Sequence, residues 1–236
     1  MQQPTSTLFI TGAAHGFGAD LARTLIAPHT QLVLLDNDLN ALNALYDELD
    51  AQFPNQIFLY PMDLKGAIAA DYQQLAETLN QQFGQLDGLY LNAAILPAFT
   101  PIEYFEPMQW YEVMQVNLNA NFHLLQTLLP LLKKSSKAQV VSIGDQAVQQ
   151  HPAYYGAYGV AKAGLAQLLK TLSAEQQKSA IDFWQADLPP FQSSLRARLF
   201  PGENIEALPQ PQQLAKQLIQ QLKGERCASD IILSPL

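Results

Sequence analysis

The sequence predicts one α/β domain: a doubly wound parallel sheet of about seven strands with helices on both faces. Three observations predict it. Short apolar runs alternate with longer amphipathic stretches along the whole chain, glycines cluster directly after the first run, and an acidic residue closes the second.

The first run, residues 7–11, ends in Thr-Gly and leads into a helix-length segment at 16–27. The second run, 31–36, is followed by a helical segment at 38–52, and the third, 56–60, by one at 70–83. The fourth run, 86–92, precedes a long apolar helix at 107–134, and the fifth, 139–143, precedes one at 157–178. A sixth run lies at 181–186, a helix at 211–223, and a weaker seventh run, 230–233, closes the series. Strands that alternate with helices call for right-handed crossovers and a parallel sheet covered on both faces, and the near-continuous apolar character of the runs agrees with that burial. Residues 188–211 carry most of the irregular, proline-rich sequence and are expected to form a substrate loop or lid within a single domain spanning residues 1–236.

Composition narrows the function classes. The chain has 236 residues, 48% of them hydrophobic, enough for one large core, while charged residues supply only 14%. The formal net charge of −8 argues against nucleic acid or an anionic membrane as the main partner. Cys227 is the only cysteine, so an intrachain disulfide is impossible and a reducing compartment is expected. The opening segment reads as a first strand rather than a signal peptide, and no apolar run is long enough to cross a bilayer. A soluble, cytoplasmic protein is the expectation, and no residues are assigned to a metal.

LFITGAAHGFGADLA places Gly12, Gly16 and Gly18 after a strand and at the opening of a helix. Glycines there allow a tight turn and close approach of backbone to a pyrophosphate, whose charge then meets a helix N-terminus, the arrangement of a Rossmann-type site. His15 and Phe17 lie in the same turn. His15 reads equally as a partial phosphate contact or a solvated turn residue. Asp36, ending the second strand, would accept hydrogen bonds from an adenosine ribose and repel a 2′-phosphate, so NAD is favoured and NADP is less favoured. Asp63-Leu64 after the third strand can contact the adenine, or Asp63 can cap a helix.

These residues, with LNAA at Leu91–Ala94, VNLNANF around Asn117 and YGVAK at Tyr158–Lys162, resemble the short-chain dehydrogenase/reductase family in both spacing and order. The stretches LDGLYLNAAIL, MQVNLNANFHLLQTLLPLL and LRARLFPGE are similar to a proteobacterial subgroup of short-chain oxidoreductases. The resemblance implies hydride transfer between a nicotinamide and a small substrate, with Tyr158 as proton donor. Lys162, four residues on and on the same helical face, would stabilise tyrosinate and bind the nicotinamide ribose. By the same resemblance Asn117 holds a water next to the lysine, Asn92 and Ala93 lie along the cofactor, and the long helices pair into a homodimer or homotetramer.

Three positions depart from the family pattern. Asp145 stands thirteen residues before Tyr158, where the family has a serine. An ionised Asp145 accepts hydrogen bonds but donates none, and it would pair with Lys162 or raise the pKa of Tyr158, to the detriment of ketone reduction. Ala94 replaces a glycine next to the cofactor, and Leu188-Pro189 replaces a Pro-Gly. Pteridine reductases resemble this chain in having aspartate at that offset, which suits reduction of C=N bonds. Three readings therefore stand: an NAD(P)-linked oxidoreductase with an Asp145/Tyr158/Lys162 site, a pteridine-like reductase, or a nucleotide-binding scaffold with impaired catalysis. Phe99, Tyr104, Phe105, Tyr154, Tyr155, Trp184 and Phe191 are candidate pocket aromatics.

Overall fold

Alternation within the first two strands decides how the layers assemble. In the computed structural model, which describes residues 6–150, 152–224 and 231–235, β1 (Ser6–Thr11) and β2 (Thr30–Asp36) pair in parallel, with Thr11 opposite Leu35. Leu8, Ile10, Leu32 and Leu34 belong to one core, and Phe9, Val33 and Leu35 to another on the opposite face. Successive side chains thus enter two separate cores, and both faces are dry. That is why these runs are apolar throughout.

The remaining strands are β3 (Ile57–Pro61), β4 (Gly88–Leu91), β5 (Ala138–Asp145), β6 (Ile181–Leu188) and β7 (Ile232–Pro235), and the sheet order is β3-β2-β1-β4-β5-β6-β7. Between them lie α1 (Gly16–Leu25), α2 (Leu39–Asp50), α3 (Ala69–Phe83), α4 (Pro107–Met114), α5 (Ala120–Leu132), α6 (Gly156–Glu175), α7 (Ser194–Leu199) and α8 (Pro211–Leu222). Leu21 of α1, Leu42 and Leu45 of α2 and Leu214 and Leu218 of α8 pack on the first face. Leu75 of α3, Leu124 and Leu128 of α5 and Leu165 of α6 pack on the second. Each such leucine withdraws roughly 2 kcal/mol worth of apolar surface from water. The strand order reverses between β1 and β4, so the chain leaves their carboxyl ends in opposite directions and opens a crevice there.

Three expectations are corrected, and the 188–211 segment gains a helix. β7 pairs antiparallel to β6, with Ile232 opposite Asp187, where a wholly parallel sheet was expected. An edge strand has a single ladder to satisfy, and a four-residue apolar run carries no directional information. The expected helix at 107–134 is two helices, α4 and α5, joined by one π-helical turn at Gln115–Asn119. The fourth strand is shortened to Gly88–Leu91, and the 188–211 segment contains α7, held at its start by the Ser193 side chain accepting from the Arg196 N–H. Cys227 and Asp230, the first residue of the expected seventh run, lie outside the described residues.

Candidate active site

The glycine turn is built by steric necessity. Gly12 has φ +63°, and a Cβ there would lie 2.7 Å from the Ala93 Cα; a Cβ on Gly18 would collide with the Gly12 carbonyl. The turn is tied to β4 by hydrogen bonds. Thr11 Oγ1 accepts from the N–H groups of Asn92 and Ala93 at 3.1 Å each, and Asn92 Nδ2 donates to the carbonyls of Thr11 and Gly12 at 3.1 and 2.8 Å. No side chain caps the N-terminus of α1, where His15 is the capping residue. Its first N–H groups face the crevice, so the cradle that a Cβ would fill fits a pyrophosphate.

A cleft of about 500 Å³ follows the carboxyl ends of the strands and joins this turn to Tyr158 and Lys162. At its outer end the Asp36 carboxylate accepts from the N–H groups of Ala14 and Asp38, at 3.0 and 3.1 Å. His15 Nε2 lies 2.9 Å from an Asp38 oxygen, and Asp38 also accepts from Ala41 N–H at the start of α2. That backbone bond first, and His15 second, hold the Asp38 carboxyl below its usual range. Asp63 closes a local turn by accepting from Lys65 N–H at 3.0 Å; it does not cap α3, whose first turn is held by Asp71 accepting from Ile68 N–H. Gly16, Phe17, Leu64 and Ala93 all line the cleft.

At the inner end, α6 presents Tyr158 and Lys162 one turn apart beside the end of β5. The Tyr158 hydroxyl donates to Asp145 Oδ2 at 3.2 Å, and Asp145 Oδ1 accepts from Ala147 N–H at 2.8 Å. Lys162 Nζ donates to the Ile143 carbonyl at 2.7 Å and lies 5.8 Å from the centre of the Tyr158 ring. Burial, and then the Asp145 charge, push the Tyr158 phenol well above its ordinary value. Burial pulls the Lys162 ammonium down to about 8, against the opposing pull of Asp145 and Asp187. The tyrosine proton is held for the carboxylate, and the lysine charge is anchored on backbone. Of the two expected effects of Asp145, the rise of the Tyr158 phenol is the one present; no Lys162–carboxylate pair falls within 4 Å among the described residues.

Asn117 is brought close by the π-helical turn, but it is 1% exposed and does not line the cleft. Its side chain accepts from Ile95 N–H at 2.8 Å and donates to the Ile95 carbonyl at 2.9 Å, fixing the chain that leaves β4. Of the candidate aromatics, Phe99, Tyr155 and Phe191 line the cleft. Tyr104 and Tyr154 are exposed, Phe105 packs on Trp110 and Gly156, and Trp184 packs against the core. Ala94 and Leu188-Pro189 form part of the wall, and the cleft stays open past them.

The sequence reading missed three participants. Thr11 shows only as a polar residue ending an apolar strand. Arg196 of α7 lines the cleft, stacks 3.6 Å above the Phe200 ring and is bound by both oxygens of Glu203 at 2.6 and 2.7 Å. Asp187, 6% exposed at the end of β6, accepts from Gln185 and Gln149 side chains, and a Cβ on Gly144 would collide with its carboxylate.

Comparison with known proteins places this geometry. The family model for short chain dehydrogenases matches residues 6–204. The uncharacterized oxidoreductase YciK of Escherichia coli is 30% identical over 205 residues, which is 86% of this chain and 81% of YciK. A D-beta-hydroxybutyrate dehydrogenase of Rhizobium meliloti is 29% identical over 181 residues, covering 75% and 68%. A short chain dehydrogenase from Shigella flexneri, solved in complex with NADP, superposes with a TM-score of 0.87 at 28% identity over 92% of this chain and 90% of the other. One from Escherichia coli CFT073 in complex with NADPH gives the same TM-score, identity and coverage.

Proposed function

The chain belongs to the short-chain dehydrogenase family, and we propose that it is an oxidoreductase moving hydride between NAD(H) and a small, partly apolar carbonyl, alcohol or C=N substrate. The observation that carries this reading is a single cleft with a phosphate-fitting glycine turn at one end and Tyr158, Lys162 and Asp145 at the other.

The dinucleotide, when bound, donates or accepts the hydride. The free N–H groups at the start of α1 and the turn at Gly12–Gly18 would hold its phosphates, with Asn92 and Thr11 keeping that turn in shape. Asp63, Leu64 and Ala93 would border the adenosine half. Lys162 would meet the nicotinamide ribose, and its charge is the local counterweight to Asp145 and Asp187. Tyr158 and Asp145 face the substrate, and the aromatic rings of Tyr155 and Phe99 exclude water from it.

The similar structures hold NADP and NADPH, which supports a dinucleotide in this cleft and weighs toward NADP. NAD(H) is favoured for this chain because the ribose end presents the Asp36 carboxylate, while the nearby basic side chains are engaged: His15 with Asp38, and Lys65 with Glu112 at 3.6 Å. A 2′-phosphate would meet like charge there. The proposal includes a homodimer or homotetramer, since Met108 and Tyr111 on α4, Phe122 on α5 and Val160 on α6 are exposed. It also includes a lid role for residues 188–211. No helix among the described residues is long and apolar enough to cross a membrane.

Asp145 in place of a hydroxyl donor favours C=N reduction over ketone reduction, the direction in which pteridine-like chemistry lies. The test is a panel of ketones, alcohols, cyclic imines and a dihydropteridine, with Tyr158→Phe alongside. Dinucleotide-dependent turnover of a panel member is expected, and for ketones and neutral imines, whose products take up a proton, it should fall at least tenfold in Tyr158→Phe. Binding of dinucleotide with no turnover of any member would leave the scaffold reading in its place.

A further inference from the structure

Resting on that reading, we propose that the substrate's reacting group enters as a cation, an iminium, stabilised by Asp145 and by the neighbouring aromatic faces. The first argument is the balance of charge. Each Asp145 oxygen receives a donor, the Tyr158 hydroxyl on one and the Ala147 N–H on the other, which is the bonding pattern of a carboxylate. One strand away, Asp187 accepts from the neutral side-chain amides of Gln185 and Gln149. Against these two carboxylates stands Lys162, whose ammonium is bonded to a backbone carbonyl. Arg196 faces the same space, with its guanidinium paired to both Glu203 oxygens. Lys162 is shared between the two carboxylates, Asp145 on the cleft wall and Asp187 buried behind it, so the Asp145 charge is only partly balanced and a cationic substrate beside it completes the balance.

The walls agree with that charge. Tyr155 stacks on Phe99, ring centres 4.9 Å apart at 28°, and meets Tyr158 edge-on at 5.9 Å. Phe200 meets Phe99 edge-on at 5.2 Å and already carries a cation, the Arg196 guanidinium, on its face. Ring faces beside a carboxylate attract a flat cation and give a hydride donor's neutral partner no polar anchor.

The chemistry points the same way. Ketone reduction places a developing alkoxide beside the Asp145 carboxylate and asks Tyr158 for a proton already engaged in its hydrogen bond to that carboxylate. An iminium needs neither. Hydride from the reduced dinucleotide forms the new C–H bond at the iminium carbon, the C=N π pair becomes the nitrogen lone pair, and the products are a neutral amine and the oxidised dinucleotide. No proton moves in that step, and the single positive charge passes from substrate to nicotinamide. For a substrate that can lose its proton, the same carboxylate also favours the protonated, electrophilic form.

The test uses N-methyl-3,4-dihydroisoquinolinium, whose charge is permanent, and the neutral ketone 2-tetralone, of similar shape. With NADH, the protein is expected to reduce the cation with kcat/KM at least tenfold above the ketone. Asp145→Asn should lose at least tenfold on the cation, mainly in KM. Calorimetric binding of the same cation to the protein without dinucleotide should weaken at least fivefold in Asp145→Asn, a readout independent of turnover. Asp145→Ser serves as the second variant should Asp145→Asn prove unfolded by circular dichroism. Ketone reduction equal to or faster than iminium reduction, or an Asp145 variant within twofold of the parent on the cation, overturns the inference while leaving the oxidoreductase reading intact. Failure to bind either NADH or NADPH overturns both.

Discussion

The Tyr158 hydroxyl donates to Asp145 Oδ2 at 3.2 Å, across thirteen residues of sequence and from α6 to the end of β5. In the family pattern a serine hydroxyl stands where this acceptor does. The consequence is a tyrosine whose proton is held for a carboxylate instead of being poised for substrate.

Replacing the acceptor should therefore release the tyrosine. Asp145→Ser is expected to raise ketone reduction at least tenfold, toward the roughly 10²–10³ that one positioned donor contributes. Steady-state rates on simple ketones check this, and Asp145→Ser combined with Tyr158→Phe should lose the gain. Spectrophotometric titration of tyrosinate should also show Tyr158 ionising at lower pH in Asp145→Ser, because the charge and the hydrogen bond of Asp145, both of which raise its value, are gone.

Lys162 is expected to titrate at about 8 in the protein without dinucleotide. Its ordinary value is 10.5, so between these values the unfolded chain binds a proton that the folded chain does not. Folded stability relative to Lys162→Met should rise as pH climbs from 8 to 10.5, and the penalty of the buried charge should be fully present below 8. Isotope-labelled lysine resonances and urea melts across that range check the two statements. A resonance midpoint above 10 would contradict them.

Thr11 is fully buried, and its hydroxyl receives the N–H groups of both Asn92 and Ala93. Thr11→Val keeps the shape and leaves two donors without their acceptor. A loss of about 2 kcal/mol in urea denaturation is expected, together with weaker dinucleotide binding, because these bonds hold the turn at Gly12. Unchanged stability would show that the turn does not depend on this hydroxyl.

Cofactor preference should follow the ribose end of the cleft. Asp36→Ser with Asn37→Arg removes the carboxylate and adds a guanidinium, and it should improve NADPH affinity relative to NADH by roughly a hundredfold. Fluorescence titration reads both affinities. Because Asp36 also accepts from Ala14 and Asp38 N–H groups, some loss of stability accompanies the change.

How much of this was legible in the sequence follows from the range of each interaction. The glycine turn, Asp36 and the Tyr158/Lys162 pair are local patterns at fixed spacing, and each lines the cleft as expected. Asp145 was found by counting back from Tyr158, and its bond to the tyrosine follows from that offset. The direction of β7 was not legible, because an apolar run of that length pairs either way at an edge. Asn117 bonds to Ile95 across 22 residues, and Arg196 reaches the cleft only because α7 folds back over it. Asp187 reads as one more acid at a strand end, and its place behind Gly144 appears only when β5 and β6 are in register, Gly144 opposite Asp187. Contacts made by the packing of distant segments leave no periodic trace in either partner.

The most direct test of the account is titration of the protein with NADH and with NADPH, read by energy transfer from protein fluorescence to the reduced nicotinamide. Saturable transfer with NADH, at least tenfold tighter than with NADPH and weakened by Gly18→Ala, is the expected result. Tighter binding of NADPH would contradict the role given to Asp36, and no transfer from either would contradict the dinucleotide site itself.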